Sequence, residues 1–502
     1  MTASAVWHRA TRRMAAGVGL VTATVVALAA QAAMAEPLDQ RAARQLLTRT
    51  GFAPTPSQVA ALAPLSQAKA VDRLLAGTLR QPRTPAPPWV DERIVLPREL
   101  QQMSEAEQRA YRQTLVRQSL ELRGWWLREM ASTPSPLTER MTLFWHNHFV
   151  SAQPKVRWPQ PLYRQNLLLR EHALGSFADL LHAIVRDPAM LIYLDGAANR
   201  RGQPNENLAR ELMELFTLGQ GQYGEADVKE AARALTGHSI EPSSGAFMYR
   251  PGLHDRGRKT VLGVSGEFDG DALVDLLLRQ PATARFIVDK LWREFVSPQP
   301  DPARAERIAA EFRGSGYSIA VALRALLLQP EVVSSDPAHA LVKSPIDLVV
   351  GLVRQSGAEL VQPAGAAVAA AAMGQNLFGA PNVRGWPGGE AWINTQTLLA
   401  RKQFIDRLLA PAAATMQTAA ADAAAMPQQR LMRLAAQPAR VEPQAWLAAA
   451  AQVHPERPLG ADELARLAAS LGSVAPATPP ASGTLALDAL RALLLDPSYQ
   501  LK

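Results

Sequence analysis

Apolar residues recur at helical spacing along almost the whole chain, and prolines cut that pattern into short pieces. Leu38 to Thr48 is an amphipathic stretch ended by Gly51. Pro56 opens another, with Val59, Leu62, Leu65, Val71, Leu74 and Leu75 at its apolar positions. Glu105 to Ala131 reads as a long helix carrying Trp125 and Trp126, and Leu137 to Phe149 as a further helix. An apolar helix that stops at Asp-Pro or Gln-Pro recurs at 180–188, 323–330 and 490–497. Proline stops a helix because it cannot continue the hydrogen-bond ladder. The copies are unevenly spaced, so the chain is not read as a solenoid. The expected fold is mainly α, a multi-helical, bundle-like globule.

One stretch breaks the pattern. Phe247-Met248-Tyr249 and Thr260-Val261-Leu262 read as short strands around a Gly-containing turn, a small β or loop insertion near 247–262. Pro82 to Pro88 is a proline-rich connector. Residues 411–484 are rich in Ala, Pro and Gln, with helices expected at Gln428 to Ala435 and Ala461 to Leu471 and a flexible joint at Pro476 to Pro480. The expected division is a leader at 1–35, a main helical domain at 36–410, and a C-terminal helical region at 411–502 that packs back through its last helix.

Arg9, Arg12 and Arg13 precede an uncharged apolar run from Ala15 to Ala33, and Ala33-Met34-Ala35 offers the small-x-small pattern of a signal-peptide cleavage site. Export to the periplasm or beyond is therefore expected, with no membrane span left after cleavage. Thr11-Arg12-Arg13-Met14 hints at the twin-arginine route. The leader holds three arginines and no acid, so its removal takes the net charge from +8 to +5. Basic residues are dispersed among acids, which leaves no nucleic-acid footprint. With no cysteine in the chain, disulfides, thiolate metal sites and cysteine nucleophiles are excluded.

Chemistry concentrates in a few places. In a helix over Leu137 to Phe149, Met141, Phe144, Trp145 and His148 share one stripe, and His146 points elsewhere. Two histidines at i, i+2 can share a metal only where the helix ends or extends. The bland alternative is an aromatic core with a buried, hydrogen-bonded histidine. From Asn205 to Gly219, Leu208, Leu212, Leu215 and Phe216 form an apolar face, and Gly219 suits a left-handed C-terminal position. Asn205 can cap the start, and Glu206 with Arg210 and Arg210 with Glu214 are i, i+4 pairs. Glu211 and Glu214 can present two carboxylates to one site, or lie on a solvated face. A helix from Ala226 to Thr236 follows and stops at Gly237.

His254, Asp255 and Lys259 fall in one turn, where a histidine beside an acid suits a general base or a metal ligand. Asp255-x-Gly257 fits a plain turn equally well. Between Gly374 and Trp392 the glycines allow tight turns. Trp386 and Trp392 there can stack a sugar ring or pin the loop to the core.

FWHNHF, NENLARELMELFTLG, LHDRGRKTVLG, VKSPIDLVVG, GQNLFGAPNVRGWPGG and DPSYQLK, in this order, resemble the exported bacterial family called domain of unknown function eighteen hundred. The resemblance covers nearly all of the chain after the leader. It implies export, a helical architecture and a shared site of unestablished chemistry, at His146, Asn147, His148, Asn205, Glu206, Arg210, Glu211, Glu214, His254, Asp255, Lys259, Gly385 and Trp386. Tryptophan is what the resemblance leads one to expect at His238.

The first functional expectation is a hydrolase of envelope material. His254, Asp255, Glu211 and Glu214 would be catalytic, and His146, His148 and Glu206 would ligate a divalent metal. Asn205, Arg210, Lys259, Trp386 and Trp392 would bind the ligand. The alternative is a non-catalytic envelope protein with a buried His/Glu network that binds polysaccharide or a secreted partner. A third reading, a redox protein loaded with cofactor before twin-arginine export, rests on the arginine pair.

Overall fold

The computed structural model describes residues 36–410 and 439–502, apart from Ser243 and Ser473. The leader and the expected helix at Gln428 to Ala435 lie outside the described residues. Among the described residues there are 22 α-helices and two small two-stranded sheets. The fold is mainly α.

Local chemistry explains the helix ends. Leu38 to Thr48 becomes Gln40–Thr50, with the Asp39 carboxylate accepting from the Ala42 amide. The stretch opened by Pro56 divides into Pro56–Leu62 and Gln67–Ala76, because the Ser66 hydroxyl caps a new start. The long helix runs Glu105–Ser132 behind a capping box of Ser104 and Glu107. Ala461–Leu471 forms within its expected bounds. The prolines of the recurring pattern open the next element: Pro188 begins Pro188–Tyr193, and Pro330 and Pro497 begin short 3-10 turns. A proline at the first helical position loses no intrahelical bond. The joint at Pro476 to Pro480 is tied down, since the Asp496 carboxylate accepts from the amides of Ala477 at 3.0 Å and Thr478 at 2.8 Å.

The β insertion differs from expectation. Strand β1 (His238–Ile240) pairs antiparallel with β2 (Phe247–Tyr249), and β3 (Lys259–Val261) pairs with β4 (Val264–Gly266). The strands at 247–249 and near 260 therefore do not pair with each other. Leu262 and Gly263 both have positive φ, at 49° and 76°, the two-residue turn that closes a tight hairpin locally.

Two hydrophobic clusters form the interior. One gathers Phe149, Phe177, Phe216, Leu291 and Trp292. The other gathers Trp126, Phe378, Trp386, Trp446 and Tyr499, and includes Leu490 and Leu494 of Ala486–Leu495. Helix Pro136–His148 stands between them: Leu137, Met141 and Trp145 enter the first, and Leu143 enters the second. Its buried Glu139 is gripped by Arg170 at 2.7 and 2.9 Å and accepts from the Trp126 indole at 2.8 Å. A carboxylate this deep is tolerated because it is paired and hydrogen-bonded. Among the described residues no helix is long and apolar enough to cross a membrane.

Candidate functional site

The last turn of helix Pro136–His148 ties together segments far apart in the chain. His146 points to the second cluster, where its Nε2 accepts from the Phe378 amide at 3.2 Å and its ring meets Trp126 edge-on. Its Nδ1 is buried without a partner among the described residues, and burial holds the imidazole down to about 3. Asn147 binds the glycine-tryptophan loop: its Oδ1 accepts from the Trp386 amide at 2.7 Å. Gly385 has φ +84°, and a Cβ there would fall on Asn147. His148 turns to the first cluster, among Phe144, Trp145, Phe149 and Phe216.

The Asn205 to Gly219 segment meets this turn through its backbone. After a short α-helix at Asn207–Glu211, Leu212–Thr217 is a π-helix, with the Leu218 amide reaching back to the Met213 carbonyl. Carbonyls at the end of a helix lack intrahelical donors. Those of Phe216 and Leu215 accept from His148 Nε2 at 3.2 Å and Lys290 Nζ at 3.3 Å. Because Nε2 donates, His148 Nδ1 is an acceptor, and it receives Lys290 Nζ at 2.9 Å. Burial and the neighbouring Lys290 both push His148 far below the usual histidine range. Burial, with Arg293 alongside, lowers the Lys290 amine to about 8.

Lys290 belongs to helix Pro281–Phe295, whose Ile287, Val288, Leu291, Trp292 and Phe295 face the core. Lys290, Arg293 and Glu294 line an open cleft of about 630 Å³ together with Phe144, Asn147, His148, Arg384, Trp386 and the loop from Pro387 to Glu390. A second cavity of about 110 Å³ shares Phe144, Asn147, Arg293, Glu294 and Trp386 with it, and reaches Arg140, Asp347 and Lys502. Those charges close on one another. Asp347 pairs with Arg140 and with Lys502 at 2.9 Å, and Glu294 lies 3.4 Å from Arg140 and 3.6 Å from Lys502. The two cations hold the Asp347 carboxyl well below its ordinary range against the burial that opposes them.

The residues expected to form one site are distributed over several. Glu206 and Glu225 both bind Arg210, at 3.0 and 2.7 Å, in a partly exposed network. Asn205 Oδ1 accepts from the Asn207 amide two residues on, a local turn, while the N-cap of the helix is Glu206 with no side-chain cap bond. Glu214 accepts from Gln220, Tyr223 and Arg384, which lower its carboxyl, and it meets the cleft through Arg384. Glu211 is half-buried, and burial with Glu214 nearby raises it. His254 Nδ1 donates to the Thr236 carbonyl at 3.0 Å. Asp255 is held by both arms of Arg233 and by the Gly257 amide, which bring it down to about 2. The Lys259 ammonium donates to the carbonyls of Asp255 and Gly257. This turn is a closed, self-satisfied unit. His146, His148 and Glu206 do not converge, and among the described residues no group of three or more His, Asp or Glu side chains could hold a metal ion. Trp386 and Trp392 are 4% and 7% exposed and belong to the second hydrophobic cluster, so they pin the loop to the core and offer little open surface for stacking a ligand.

Sequence reasoning passed over Lys290, Arg293 and Glu294. The available signal was the stripe Phe286, Lys290, Glu294 at i, i+4, i+8, on the flank of the apolar face.

Fold and site together define a mainly α-helical protein with a polar cleft built on an aromatic helix end. The chain belongs to the family described as protein of unknown function DUF1800, whose model matches residues 45–501. No curated protein and no solved structure matches the chain.

Proposed function

We propose that the protein is an exported acid–base hydrolase of envelope material, and that its reaction takes place in the cleft beside Lys290. One observation carries this reading: Lys290 and Glu294 lie one helical turn apart on Pro281–Phe295 and line the same open cleft. An amine brought down to about 8 is an acid usable near neutral pH, and the carboxylate beside it is the candidate base. The Glu294 carboxylate takes a proton from water as the water attacks, and the Lys290 ammonium gives a proton to the departing oxygen or nitrogen. His148 then acts on Lys290, not on substrate, by fixing the direction of the amine. Export is supported by the arginines and apolar run of residues 9–33. The test is release of soluble fragments from isolated envelope polymers by the purified protein. E294Q and K290M are expected to lower release by about 100-fold or more, the usual range for losing a general acid or base. Equal release by wild type and both variants contradicts the reading.

A second reading, a non-catalytic envelope protein, draws support from the closed bonding of His146, Asn147 and His148 to three other segments. Under it the family motifs serve stability, and the cleft only binds. Envelope polymer that binds with saturation but releases no fragments decides in its favour.

A further inference from the structure

We infer that the cleft takes the oxyanion of its ligand, a carboxylate or a phosphate group, between Lys290, Arg293 and the backbone amides of Gly388 and Gly389. The inference rests on the reading of this cleft as the ligand site. It deepens that reading by naming what the ligand carries.

Two ionic groups on the cleft wall, Arg384 and Glu294, already have a partner. Arg384 pairs with Glu214 at 3.0 Å, and Glu294 lies beside Arg140 and Lys502, which share Asp347 in the adjoining cavity. Lys290 and Arg293 are different. Among the described residues neither has a carboxylate within ion-pair distance. The Lys290 ammonium has three donors, and its protein acceptors are the His148 Nδ1 and the Leu215 carbonyl. His148 is neutral in this arrangement, since its own Nε2–H goes to the Phe216 carbonyl, so it cannot balance the charge. Arg293 spends one N–H on the carbonyl of Asp289 in its own helix. Three apart on one helix, the two cations line one cavity and repel each other.

The loop that lines the same cleft carries backbone donors. Gly388 and Gly389 line the same cavity with positive φ, at 72° and 54°, and their amides have no protein acceptor among the described residues. Nothing lies within 4 Å of a Cβ built on either glycine, so neighbouring atoms do not require glycine there. The positive φ is what favours glycine there. Glu390 is the one acid on the lining without an ionic partner, and it is exposed at the rim. An oxyanion in the cleft would separate the two cations electrostatically and give the spare N–H groups acceptors.

The titratable and charged groups that share the cleft with Lys290 are His148, Arg293, Glu294, Arg384 and Glu390. Burial, with Arg293 adding to it, lowers the amine to about 8. Anion affinity therefore weakens as pH rises above that value and the ammonium loses its proton.

Calorimetric titration of the purified protein with inorganic phosphate, with glucuronate and with glucose tests the inference. At least one anion is expected to bind and glucose is not, and the tighter anion identifies the source of the charge. Arg293 is exposed, so R293Q should fold normally and weaken the anion by about tenfold or more. K290M should do the same. Absence of anion binding at millimolar concentration, or wild-type affinity in R293Q, overturns the inference. E294Q keeps the two readings apart. Retained anion binding with unchanged fragment release refutes the acid–base reading and leaves the anion site standing. Fragment release without anion binding does the reverse.

Discussion

Lys290 Nζ lies 2.9 Å from His148 Nδ1, although 142 residues separate them in the chain. The contact joins the end of one helix to the middle of another, and the Phe216 carbonyl of the π-helix completes it through the other ring nitrogen. Removing the imidazole strands a donor and an acceptor in a partly dry place. H148F should cost about 1–3 kcal/mol in denaturant unfolding, the penalty for leaving buried polar groups unpaired. Unchanged stability would mean that solvent replaces the histidine at no cost, and that the turn is not closed.

Gly385 lies where the glycine-tryptophan loop crosses Asn147. G385A combines a strained positive φ with a methyl group placed on the Asn147 side chain. It should lose more than about 2 kcal/mol. The loop also carries Gly388 and Gly389, so anion affinity should fall in the same variant. G385A with wild-type stability would show that the loop is free to move away from the helix.

His146 makes stability depend on acid. Burial holds it at about 3 in the folded chain, against an ordinary 6.5. Between those values the unfolded chain binds the extra proton, so stability rises with pH across this window and is complete above it. H146Q should remove a slope of about 1.4 kcal/mol per pH unit there. Equilibrium unfolding at several pH values measures it. Parallel curves for the two proteins would contradict a buried neutral imidazole.

Asp255 should behave as part of the scaffold. Arg233 and the Gly257 amide hold its carboxyl at about 2, so its contribution is present above the ordinary 3.8 and is lost as pH falls toward 2. D255N should destabilise the protein by roughly 1 kcal/mol, a modest figure because the pair is partly exposed. Anion binding in the cleft should be unchanged. A stable D255N protein that has lost cleft function would place the His254–Lys259 turn in the site after all.

The helices were legible because periodicity and caps are local. Ala461–Leu471 needs nothing but its own residues to be recognised. Strand partners were not legible. β2 pairs with β1, a strand that begins at His238 directly after a helix and carries no strand signature. The π-helix was hidden for a related reason, since Leu212, Leu215 and Phe216 show the same apolar spacing in either geometry. At the site, the aromatic hexapeptide brings one imidazole, His148, to the Asn205 to Gly219 segment, while His146 turns away to Phe378. His148, however, meets a carbonyl there, and backbone acceptors leave no mark on residue identity. Lys290 and Glu294 escaped notice because a lysine and a glutamate at i, i+4 on a helix look the same whether they face water or a cleft.

The amine of Lys290 is the point on which the cleft reading turns, and its titration can be followed directly. Competitive acetylation across a pH series, with the peptide containing Lys290 quantified by mass spectrometry, reports reactivity against protonation. The account predicts an accessible amine that titrates near 8 in the wild-type protein. An amine that never reacts, or one that titrates near the ordinary 10.5, would contradict it.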